Sequence, residues 1–97
     1  MNNRLLPLLF SGLTLLASAT MAQAGCYADY KAKQDNPLRL HYGVAEVQGD
    51  CTAENAASQL AQRLASDGWL LLTVLEVFDE SGLPSRRDTA GDYYLRY

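Results

Sequence analysis

The chain has 97 residues, with 8 basic and 11 acidic side chains and a formal charge of −3 at neutral pH. An acidic chain without a clustered basic face repels phosphate backbones, so neither nucleic acid nor an anionic membrane surface is an expected partner. One histidine and two cysteines fall short of the three or four ligands at motif spacing that zinc or copper requires, so no metal and no cofactor is expected.

At the start of the chain stand Arg4, an apolar stretch over Leu5–Leu16, and mostly small residues up to Ala22-Gln23-Ala24. That is the order of a cleavable secretory signal. The apolar stretch is short of the ~20 residues a membrane-spanning helix needs. Cleavage after Ala24 is therefore expected, leaving residues 25–97 as one small domain in the periplasm or outside the cell. An uncleaved anchor is the alternative, opposed by Ser11, Thr14, Ser18 and Thr20 in the apolar half. Gly25-Cys26 would also serve as a lipoprotein junction, but Gln23 stands where such signals carry an aliphatic residue. The mature part keeps seven basic and eleven acidic residues, seven minus eleven giving −4.

A domain this short buries only ~60% of its unfolded surface and generally needs a staple. Cys26 and Cys51, the only cysteines, can supply one in an oxidising compartment; two buried free thiols are the alternative. Cys26-Tyr-Ala-Asp-Tyr-Lys-Ala-Lys33 alternates Cys26, Ala28, Tyr30 and Ala32 with polar residues, the period of a half-buried strand. Asp35-Asn36-Pro37 supplies turn chemistry. In the second strand Leu38, Leu40 and Tyr42 share the expected core face, with Arg39 and His41 opposite as surface residues, and a bulge at Gly43 is expected to correct the phase. The hairpin so formed brings Cys26 near Cys51.

Thr52 is a suitable N-cap with Glu54 in the first turn. Ala53, Ala56, Ala57, Leu60, Ala61, Leu64 and Ala65 then form one helical stripe, and Gly68 is placed to close the helix. Trp69–Phe78 is the third strand and the most apolar run. Asp79–Asp92 reads as a polar connection, and Tyr93–Tyr97 as a short fourth strand with Tyr30, Tyr42, Tyr93, Leu95 and Tyr97 available to the core. The expected fold is α+β: a small antiparallel sheet in strand-strand-helix-strand-strand order, one helix packed on one face, and one disulfide.

A helix closed by Gly68-Trp69, followed by Leu71 and Val74 and ending in Tyr93-x-x-Arg96-Tyr97, resembles an uncharacterised family of small bacterial domains marked by Gly-Trp-x-Leu after a helix. The likeness covers about 53–97. It implies a fold and no activity.

No catalytic set emerges, because every Ser-His-Asp or Cys-His arrangement would have to be built on His41. Asp79, Glu80, Asp88 and Asp92 lack the alternating ligands of a calcium loop. Strict alternation puts Trp69, Leu71, Thr73, Leu75 and Val77 on one face of the third strand and Leu70, Leu72, Val74 and Phe78 on the other. One helix cannot cover both. The far face, Leu70, Leu72, Val74 and Phe78 with Tyr94 and Tyr27 beside it, is thus the candidate surface for self-association or an unknown protein partner. The alternative is a fold-back of the Asp79–Asp92 connection over it. Arg86 and Arg87 are a second candidate, a pair of guanidinium forks for a small anionic ligand; the alternative is self-neutralisation by Asp88 and Asp92 in a hairpin tip. The expectation is an exported interaction module and not an enzyme.

Overall fold

The computed structural model describes residues 25–97; the expected signal segment lies outside the described residues. The fold is α+β. Strands β1 (Tyr27–Gln34), β2 (Arg39–Glu46) and β3 (Leu70–Phe78) form one antiparallel sheet in the order β2-β1-β3, and helix α1 (Ala53–Ala65) joins β2 to β3. Cys26 and Cys51 are bonded, their Cα atoms 5.7 Å apart, which ties the start of β1 to the approach to α1.

The ends of α1 are formed as the sequence indicates. Thr52 Oγ1 accepts from the Asn55 N–H at 3.1 Å. At the other end Gly68 takes φ +82°, and two N–H groups turn back: Gly68 to Ala65 O at 3.1 Å and Trp69 to Leu64 O at 2.9 Å. That pair of bonds satisfies the last helical carbonyls and turns the chain straight into β3. Of the apolar stripe, Ala56, Leu60 and Leu64 are buried. They close over Ala28, Tyr30 and Ala32 of β1, together with Cys26, Ala45, Val47 and Trp69.

The second strand sits in the opposite phase from the expected one. Leu38 and Leu40 are 63% and 66% exposed, while His41 is 8% exposed. The register explains the inversion. Tyr30 is fully buried and lies opposite Gly43, with Ala32 opposite His41. A Cβ on Gly43 would stand 2.6 Å from Tyr30 Cζ, so the glycine is there to admit the ring. The β1–β2 pairing runs without a shift through Gly43; no bulge is needed.

The bulges lie in β3 instead. Asp29 pairs with Glu76 but Tyr30 with Val74, and Lys31 pairs with Thr73 but Ala32 with Leu71, so Leu75 and Leu72 are each skipped. Each skip reverses the alternation, which brings Leu71, Val74 and Val77 to the helix side, where they pack on the core. Val74 is thereby removed from the expected far face.

The segment after β3 is not a polar loop. A short 3-10 turn (Glu80–Gly82) leads into helix α2 (Pro84–Ala90), with Pro84 in its first turn and Gly91 at its end. The expected fourth strand is also replaced. Gly91–Tyr93 is another 3-10 turn, Tyr94 makes one parallel bridge to Val44, and Leu95 at φ +57° breaks the extended chain. Among the described residues no helix is long and apolar enough to cross a membrane.

Candidate functional site

Directly paired residues share a face of a sheet, so the register divides the far face into four rows across β2, β1 and β3. They are Glu46–Tyr27–Phe78, Val44–Asp29–Glu76, Tyr42–Lys31–Thr73 and Leu40–Lys33–Leu70.

The first two rows are covered over Val44 and Asp29, with Glu46 and Glu76 left at the exposed edges. Arg86 extends from α2, donating Nε to Asp29 Oδ2 at 2.9 Å, Nη2 to Glu76 Oε1 at 2.5 Å and Nη1 to Gly82 O at 2.8 Å. Its guanidinium lies 3.9 Å from the Phe78 ring centroid, and Phe78 lies beside Tyr27 with ring centroids 6.3 Å apart. Asp29 is 6% exposed. It also accepts the Tyr42 hydroxyl at 2.8 Å and the Glu76 N–H at 2.9 Å, the satisfaction a buried carboxylate requires. Burial, and then the bond to Asp29, push the Tyr42 phenol up to about 12. Arg86, one of the two candidate anion contacts, is therefore committed to three partners within the fold. Arg87 is exposed, with its guanidinium 5.3 Å from the Tyr94 ring centroid.

The last two rows are bare. Leu70 and Leu72 are 58% and 48% exposed, and with Leu40 they flank Lys31 and Lys33. An open groove of about 250 Å³ lies among Lys31, Ala32, Leu40, His41, Tyr42 and Leu72. Of the expected interaction face, Leu70 and Leu72 are open, whereas Phe78 and Tyr94 are half-buried beside α2. Strict period-2 reading missed Leu40, which joins the face because β2 takes the opposite phase.

His41 occupies the other face, inside an aromatic cluster. Tyr30 Oη lies 2.9 Å from its Nε2, while the buried Nδ1 has no hydrogen-bond partner. Tyr93 stacks on the imidazole at 3.7 Å, and Trp69 meets it edge-on at 4.3 Å between centroids. Burial, and then Arg96, lower the His41 pKa. Through these contacts the imidazole joins β1 and β2 to the C-terminal segment. Among the described residues no three His, Cys, Asp or Glu side chains are grouped to hold a metal; Asp79 instead accepts from the Ser81 N–H at 2.9 Å. No family model, no curated protein and no solved structure matches the chain.

Proposed function

We propose that the domain is an exported, non-enzymatic interaction module that acts in the periplasm or outside the cell through the bare half of its sheet. The observation that carries this reading is the asymmetry of the far face: α2 and Arg86 cover the middle of two rows, while the other two rows and the bulged Leu72 leave Leu40, Leu70 and Leu72 in solvent. Clustered exposed leucines on one sheet face mark interaction sites, here on either side of Lys31 and Lys33. The Cys26–Cys51 bond supports the oxidising compartment.

The test is native mass of the protein recovered from its own cell envelope, beside the Leu72→Asp variant. The expected result is an assembly heavier than the free domain that the variant fails to form, with an unchanged far-ultraviolet circular dichroism spectrum. Equal native masses for the two proteins overturn the reading. A rise in melting temperature with added phosphate would instead favour a small-anion binder at the Arg86-Arg87 segment, through mass action.

A further inference from the structure

We infer that the bare half-face receives an amphipathic helix of a partner protein that carries carboxylates within its apolar face. This rests on the interaction reading above and names its partner.

The charge pattern comes first. In the covered half, the sheet presents Asp29 and Glu76, and the covering element supplies a cation, Arg86. In the bare half the sheet presents Lys31 and Lys33, the only lysines of the chain, on the central strand between two leucine-bearing strands. Lys31 has no ion-pair partner among the described residues, and Lys33 meets only Asp35, its neighbour in the turn, at 3.3 Å. An element that covers this half must therefore supply anions along its middle and apolar surface at its flanks.

Dimensions then select a helix. Leu40 and Leu70 stand on strands either side of β1, about 10 Å apart at two strand spacings, which is close to the diameter of a helix with its side chains. Lys31 and Lys33 are two residues apart on one strand, about 6.6 Å. Carboxylates at i and i+4 of a helix laid along β1 are about 6 Å apart along its axis, so each can meet one ammonium. The open groove of about 250 Å³ lined by Leu40 and Leu72 offers an apolar seat beside Lys31 for a side chain of that helix.

The probes are two synthetic 16-residue helical peptides, identical except for glutamate or lysine at the i and i+4 positions in the middle of a leucine face. Titration calorimetry at low salt is expected to show the glutamate peptide binding at least tenfold tighter than the lysine peptide. The paired change Lys31→Glu with Lys33→Glu should reverse that order. Leu40→Ser, at an exposed position, should weaken both peptides without lowering the melting temperature. Failure of both peptides to bind, or a preference that the lysine changes leave in place, overturns the inference. Binding to phosphatidylglycerol vesicles with no peptide preference would assign the face to lipid and also overturn it. If the peptides fail while Leu72→Asp still dissolves the native assembly, the helix assignment falls and the interaction reading stands.

Discussion

Arg86 Nε donates to Asp29 Oδ2 at 2.9 Å across 57 positions of sequence, so a residue from α2 neutralises a buried carboxylate on the central strand. The pair holds α2 against the sheet and decides which half of the far face is covered. Asp29→Ala leaves Arg86 Nε, the Tyr42 hydroxyl and the Glu76 N–H without their acceptor. Removing one partner of a buried ion pair costs about 3–5 kcal/mol, and urea unfolding should show a loss of that size. Arg86→Ala combined with Asp29→Ala should cost clearly less than the sum of the two, because both remove the same interaction.

Gly43 lies opposite Tyr30, and a methyl there would meet the buried ring at 2.6 Å from Cζ. Tyr30 has no room to withdraw. Gly43→Ala should destabilise by about 1–3 kcal/mol through overpacking, read as a lower midpoint in urea. It should also displace His41 from the Tyr30 hydroxyl, visible as a shift of the imidazole resonances.

His41 is folded as a neutral ring whose pKa burial lowers from 6.5. Between the folded and unfolded values the unfolded chain binds more protons, so stability increases with pH there. The stabilising contribution is full above about 6.5 and is lost as pH falls from there through the lowered folded value. Thermal unfolding should show this decline on acidification, first as a loosening of Tyr93 and Tyr97. His41→Phe keeps a ring under Tyr93 and removes the titration, so the decline should flatten. An equal decline in both proteins would place the proton elsewhere.

Reducing the Cys26–Cys51 bond frees a loop spanning 25 positions. In the chain-entropy account a closure of that length contributes roughly 3 kcal/mol. Cys26→Ser with Cys51→Ser should lose about that much in urea unfolding, with near-unchanged far-ultraviolet circular dichroism under native conditions. No change in midpoint would show that the hairpin alone holds these ends together.

Local signals set several features of this protein without help from the tertiary structure. Thr52 and Gly68 bound α1 because caps act through bonds to neighbouring backbone groups, and Cys26, Ala28, Tyr30 and Ala32 face inward because β1 keeps its period throughout. The signals for α2 were also local, Pro84 in the first turn and Gly91 at the end, though the polar composition between them masked a helix. The face of each outer strand was decided by tertiary structure alone. Leu40 looks like core and His41 like surface until Tyr30 has to be seated against Gly43, a pairing 13 residues apart that sets the phase of β2. Leu72 and Leu75 bulge out of β3, so strict alternation misplaced Val74. Asp29 reads as a surface acid because its partner Arg86 comes from a distant segment. Periodicity reports one chain's alternation, whereas burial depends on what each neighbour brings to the shared face.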